Sequence, residues 1–207
     1  MSLKKTFQTT FATYTAIEVI GEGGAGFVYR CQDETGGMFA VKLLNLRNIT
    51  SEKVKRFKNE ITFCRQNRHP NILTVIDDGP YLADGNVIPF YVMPLYDFSL
   101  RKLMGKGIPP SSIFPLFSQL LDGVDAAHLM KVVHRDLKPE NFLYRSSENR
   151  LVVADFGIAR FQEEELYTVV ETKDNTRLAN FQYAAPEQRG RDALVDERSD
   201  MGVFQMS

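Results

Sequence analysis

The amino-acid sequence predicts an α+β fold that opens as a small antiparallel sheet and continues into helical structure. Three observations predict it. Residues 14–44 alternate as strands do, interrupted by a glycine cluster and then by a turn. Residues 51–67 carry apolar side chains at three- and four-residue spacing, and Leu116, Leu120, Leu121, Val124 and Leu129 repeat a helical spacing further along.

The first strand reads YTAIEVI, the second FVYRCQ and the third MFAVKLL, with a turn at Glu34-Thr35-Gly36-Gly37 before the third. Gly21-Glu22-Gly23-Gly24-Ala25-Gly26 joins the first two, with Val28 just beyond. Glycines at such a junction let backbone amides approach phosphate oxygens with no side chain in the way. The string alone fits a plain hairpin equally well. A dinucleotide-binding loop would open a helix, but the residues after Gly26 are β-branched and aromatic, so a strand follows and the loop reads as a lid over ATP. Lys42 lies in the third strand between Val41 and Leu43. The helix that follows has Ser51 as its expected N-cap and Val54, Phe57, Ile61 and Cys64 as its apolar stripe. Glu60 lies on the flank of that stripe, from where it can reach Lys42 and aim it at the α- and β-phosphates.

Composition bounds the possibilities without choosing among partners. The chain has 207 residues, 43% hydrophobic and 25% charged, with a formal net charge of -1, enough for one or two globular domains. It offers no basic face for nucleic acid and no acidic tail, and the charge runs at 53–58 and 163–165 read as solvated surface. Two cysteines, Cys31 and Cys64, cannot make a disulfide framework, which favours a reducing cytoplasm. The N-terminus lacks the apolar core of a secretory signal, and no run of about 18 apolar residues suggests a membrane segment.

The most specific string is HRDLKPEN, from His134 to Asn141, followed by Asp155-Phe156-Gly157. In phosphoryl transfer the moving group spreads negative charge over its equatorial oxygens, so the protein must position a nucleophile and supply cations. Asp136 can orient and deprotonate an acceptor hydroxyl. Lys138 can neutralise the transferring group, while Asn141 and Asp155 can hold Mg2+, or Mn2+, through hard oxygen ligands. A lone Asp-Phe-Gly would read as a turn; the full string does not.

Taken together, these residues resemble the eukaryotic-like (Hanks-type) serine/threonine protein kinase family from about Tyr14 to Asp200. The glycine lid, Val41-Lys42, Glu60, His69-Pro70-Asn71-Ile72, HRDLKPEN, the Asp-Phe-Gly triplet and Ala185-Pro186-Glu187 stand in the family's order and near its spacings. The resemblance implies a bilobal α+β fold: a five-stranded antiparallel sheet with one helix (residues 14–93), a hinge (94–98) and a mainly helical large lobe (99–207), with ATP in the cleft and residues 1–13 as an extension. It implies Met93 as gatekeeper, the Pro94 carbonyl and Tyr96 amide as adenine contacts, and Val28, Ala40 and Leu143 as the adenine sandwich. Either Asp97 or Ser99 would meet the ribose. Val75, Cys64, Phe156 and His134 would stack as a column in the active state.

The family's pattern also implies regulation and acceptor class. Arg135 would bind a phosphate on the activation segment, with Thr168, Thr172 and Thr176 as candidates and Thr176 at the usual position. Asn180 departs from the threonine usual there. Arg135 and Ala185-Pro186-Glu187 set the chain apart from small-molecule kinases, which usually lack both, and Lys138 favours serine and threonine of a protein substrate over tyrosine. The Glu187-Gln188 ending is similar to that of many bacterial members. The chain stops at Ser207, where the family's long buried helix would have begun at Ser199-Asp200, so the sequence reads as a domain with its large lobe incomplete. A nucleotide-binding or interaction module of the same fold, impaired in turnover, is the alternative. Such modules usually lack an equivalent of Lys42, Asp136 or Asp155, and all three are present.

Overall fold

A computed structural model describes residues 5–23, 26–45, 50–83, 85–157, 160–161, 183, 185 and 196–201. The chain forms two compact units, one of residues 1–68 with 74–96 and the other of residues 69–73 with 97–207.

The first unit is built on β1 (Thr6–Gln8), β2 (Thr13–Gly23), β3 (Gly26–Gln32), β4 (Met38–Leu44), β5 (Asp77–Ala83) and β6 (Asn86–Pro94), with α1 (Ser51–Gln66) between β4 and β5. Its sheet is antiparallel throughout and runs β1-β2-β3-β4-β6-β5. That is six strands where five were expected. The additional strand comes from the stretch set aside as an extension: Phe7 is fully buried, its ring 5.2 to 5.4 Å from those of Tyr29, Tyr81 and Phe90. A strand of three residues is too short to show alternation, so tertiary burial, not pattern, makes it. Thr9 then turns the chain into β2 and donates its hydroxyl to the buried Asp77 carboxylate at 2.5 Å.

Gly26 shows why the glycine cluster is partly a matter of packing. Its φ is +152°, and a Cβ there would stand 2.1 Å from the Leu43 carbonyl oxygen, so no other residue fits. The turn into β4 is tied by Asp33, whose Oδ1 accepts from the Thr35 and Gly37 amides. Helix α1 is capped by Thr50, not Ser51: the Thr50 hydroxyl accepts from the Lys53 amide, and Ser51 is the first helical residue. The expected stripe holds at Phe57, Ile61 and Cys64, which are buried, while Val54 is only half-buried.

The second unit carries β7 (Phe98–Ser99), α2 (Leu100–Lys106), α3 (Pro110–Leu129), β8 (Val132–Val133), β9 (Phe142–Arg145), β10 (Arg150–Val153), β11 (Arg160–Phe161) and α4 (Glu197–Met201). The pieces β10-β9-β7 form one small antiparallel sheet and β11-β8 another. Helix α3 begins with Pro110 at its first turn, where the missing N–H costs nothing. Its contact with β10 is close enough that a Cβ on Gly123 would meet the Asn71 carbonyl oxygen at 2.4 Å. Leu116, Leu120 and Val124 bury as their spacing implies; Leu121 is half-buried and Leu129, at the helix end, is exposed. Among the described residues, no helix is long and apolar enough to cross a membrane.

Candidate active site

Strand register in the first unit gathers the expected nucleotide-binding residues. Val28 pairs with Gly21 and Lys42, Lys42 with Tyr91, and Ala40 with Met93. Opposed residues share a face and the period is two, so Gly21, Val28, Ala40, Lys42, Tyr91 and Met93 all lie on one face of the sheet. Phe39, Val41, Leu43 and Phe90 occupy the other face, beside Phe7. Gly21 is half-buried and Glu22 and Gly23 are exposed, all three within β2 and paired with Val28, Phe27 and Gly26, whereas Gly24 and Ala25 lie outside the described residues. Pro94 ends β6 and Tyr96 follows, both half-buried.

Lys42 and Glu60, eighteen residues apart, meet as a buried ion pair with Nζ 2.9 Å from Oε1 and side chains 8% and 1% exposed. The same Oε1 accepts a hydrogen bond from the Tyr91 hydroxyl at 2.9 Å. The Lys42 ammonium stands 5.5 Å from the Tyr91 ring centroid and 5.8 Å from that of Phe57. Sequence reasoning reached Glu60 through the helical period but missed Tyr91. Its signal was available: Tyr91 stands two residues from Met93 on one strand, hence on the same face.

In the second unit the loop from His134 to Asn141 is organised from below by a carboxylate. Asp200, buried on α4, accepts from the His134 amide and the Arg135 amide, each at 2.7 Å, and lies 2.9 Å from His128 Nε2. Arg135 has φ of 69° and Asp155 φ of 65°, left-handed conformations that bulky residues adopt only when held there. The His134 ring is fully buried: Nδ1 accepts from the Asp136 amide at 3.3 Å, so Nε2 carries the proton and donates to the Ala154 carbonyl at 3.0 Å. The Phe156 ring lies 4.7 Å from that imidazole, centroid to centroid. On the first unit, Val75 and Cys64 join through the Val75 amide and the Cys64 carbonyl at 3.2 Å.

Asp136 is the hub of this loop. Its Oδ2 accepts from Lys138 Nζ at 2.6 Å and from Asn141 Nδ2 at 3.1 Å, and the same Asn141 amide nitrogen donates to the Asp136 carbonyl at 2.7 Å. With its nitrogen so committed, Asn141 presents its amide oxygen elsewhere. Leu143 follows in β9, half-buried and paired with Ser99. The two candidates for a ribose contact both hold structural roles: Asp97 Oδ2 accepts from the Ser146 amide at 2.7 Å and hydroxyl at 2.6 Å, and Ser99 caps α2. Those bonds from Ser146 keep the Asp97 carboxyl below the usual aspartate range. Arg101 of α2 reaches Glu140 at 2.9 Å and also donates to the Tyr183 hydroxyl. Burial pushes the Glu140 carboxyl up, but the Arg101 hydrogen bond and charge outweigh it and hold it below its ordinary value.

Other expected residues cannot be placed in this way. Thr168, Thr172, Thr176, Asn180, Pro186 and Glu187 lie outside the described residues. Both cysteines are buried, and burial pushes the Cys31 thiol up to about 12, well away from reactive thiolate chemistry.

Comparison with known proteins agrees with this geometry. Residues 14–201 match the family model described as "Protein kinase domain". "Cell division control protein 2 homolog 3" of Trypanosoma brucei brucei is 30% identical over 86% of this chain and 55% of its own length. A "probable serine/threonine-protein kinase" of Streptomyces coelicolor is 32% identical over 88% of this chain and 27% of its own. "Serine/threonine-protein kinase pkn2" of Myxococcus xanthus is also 32% identical, over 92% of this chain and 23% of its own. The chain thus spans about half or less of the length of these relatives. Since the family model spans residues 14–201, and with them the glycine cluster, the Lys42–Glu60 pair and the Asp136 loop, the chain belongs to the protein kinase family.

Proposed function

We propose that this chain transfers the γ-phosphoryl group of ATP to serine and threonine hydroxyls of protein substrates. The observation that carries the proposal is the arrangement at Asp136, whose Oδ2 is taken by Lys138 and Asn141 while Oδ1 has no hydrogen-bond partner among the described residues. An acceptor hydroxyl bonded to Oδ1 has its lone pair turned toward the phosphorus. The new bond forms from that oxygen as the bond to the β-phosphate oxygen breaks, and the hydroxyl proton passes to Asp136. Lys138, already beside Asp136, balances charge on the transferring group. The family's pattern assigns Lys42, fixed by Glu60, to the α- and β-phosphates and the glycine cluster to their cover, with the Pro94 carbonyl, the Tyr96 amide, Val28, Ala40, Met93 and Leu143 as adenine contacts.

The donors suit magnesium. An amide oxygen and a carboxylate are hard oxygen donors of the kind magnesium prefers. Asn141, through its amide oxygen, and Asp155 would hold it, and it would supply positive charge to the phosphates. A phosphate on Thr176, or on Thr172 or Thr168, is the expected partner of Arg135. Two buried cysteines and an unexceptional net charge suit a reducing cytoplasm and a protein partner over nucleic acid. Incubation of the chain with γ-labelled ATP, magnesium and casein tests the proposal. The expected result is label on phosphoserine and phosphothreonine. ATP binding with no transfer would overturn it in favour of a nucleotide-binding module.

A further inference from the structure

We infer that Tyr91 is a positioning residue for phosphoryl transfer, acting through its hydroxyl to hold α1 in the engaged position that keeps Glu60 on Lys42. The inference rests on the reading that Lys42 addresses ATP phosphates. Two polar groups converge here on one carboxylate oxygen: Lys42 Nζ and the Tyr91 hydroxyl each lie 2.9 Å from Glu60 Oε1. All three residues are buried, with Tyr91 1% exposed. Burying an ion pair is favourable only where further hydrogen bonds compensate the lost water, and the phenol supplies one to the carboxylate.

The register explains why this residue can do so. Tyr91 pairs directly with Lys42 across β4 and β6, so its ring leaves the sheet beside the ammonium, and its hydroxyl reaches the helix that packs on that face. Phe57, one turn before Glu60 on α1, packs its ring 5.3 Å from that of Tyr91 at 34°. Ring and hydroxyl therefore have separable roles. The ring fills space against Phe57 and flanks the ammonium, as a phenylalanine would. The hydroxyl adds a condition: when α1 withdraws, the Lys42 ammonium and the phenol lose the same partner together. A withdrawn helix is thus penalised twice, and the engaged state gains population.

A double-mutant cycle tests this on the whole chain, comparing Tyr91→Phe, Glu60→Ala and the double variant, with Lys42→Met alongside. The cycle is read both as kcat/KM for ATP and, needing no turnover, as ATP affinity with magnesium by calorimetry. Tyr91→Phe is expected to lower kcat/KM by about tenfold in the parent and by less than about twofold in Glu60→Ala, with the same pattern in affinity. Tyr91→Leu, which also removes the ring, is expected to lose more and to melt earlier; Tyr91→Phe, keeping the ring, is expected to melt near the parent. An equal loss in both backgrounds, or no loss in the parent, overturns the inference in favour of a packing role. An inactive Lys42→Met beside an unimpaired Tyr91→Phe overturns it alone. A fully active Lys42→Met removes the ATP reading and this inference together.

Discussion

Two lysine–carboxylate pairs lie at the heart of this chain, and they are built in opposite ways. Lys42 and Glu60 are joined across 18 residues by the docking of a helix on a sheet, with side chains 8% and 1% exposed. Lys138 and Asp136 are two residues apart in one loop, with side chains 23% and 14% exposed. The first pair sits where water does not compete, so its lysine is held to a single aim. The second is reached by solvent, so its lysine can exchange Asp136 for another acceptor more readily.

The largest expected effect lies in the more exposed pair. Asp136→Asn keeps the shape of the loop but not the base, and should lower kcat by about 10²- to 10⁴-fold while ATP affinity stays within a few-fold. Single-turnover transfer and calorimetry check it, and retained transfer would take the proton-accepting role away from Asp136. The buried pair should behave differently. Lys42→Met and Glu60→Ala should each reduce activity, and the double variant should be little worse than Lys42→Met, because the two act as a unit. Losses that multiply would mean that Glu60 does not act through Lys42, and the contrast between the pairs would fail.

The Asp136 loop is local in sequence but not self-supporting. Asp200, 66 residues from His134, holds the amides of His134 and Arg135 from beneath. Asp200→Ala leaves those N–H groups without their acceptor in a buried site, and should destabilise the second unit by about 2 to 4 kcal/mol. Chemical denaturation followed by circular dichroism measures this, and a change below about 0.5 kcal/mol would show that the loop holds its shape unaided. The smallest expected effect is at Asp97. Its carboxyl is depressed by Ser146, so its contribution is present above the unfolded-state value, near 3.8, and lost as pH falls through the lower folded value. The acid limb of a thermal-stability profile should flatten slightly in Asp97→Asn below about pH 4, and only slightly, because this side chain faces solvent.

The parts of the site that were legible in the sequence are those whose geometry is local. HRDLKPEN places Asp136, Lys138 and Asn141 within six residues, so the string itself fixes which groups can share one oxygen. Glu60 was legible at one remove, through a helical period that put it on the edge of a buried stripe. Ser51 was the expected cap, yet Thr50 took that position, since both residues carry the same hydroxyl and only the path of the chain chooses between them. Asp97 and Ser99 could not be separated as ribose contacts, and folding gave both of them structural bonds.

The sequence by itself determined which acids, which lysines and which glycines stand at which spacing, and hence membership of the protein kinase family. Tertiary structure alone decided two things that no spacing encodes. It made a strand of Thr6–Gln8 by burying Phe7 among three rings, and turned Tyr91 onto Glu60. In each case the deciding contact joins residues far apart in the chain and depends on register or helix docking. Such contacts exist only once the backbone has been brought together, because only then does burial make a hydrogen bond or a ring contact worth more than its exchange with water.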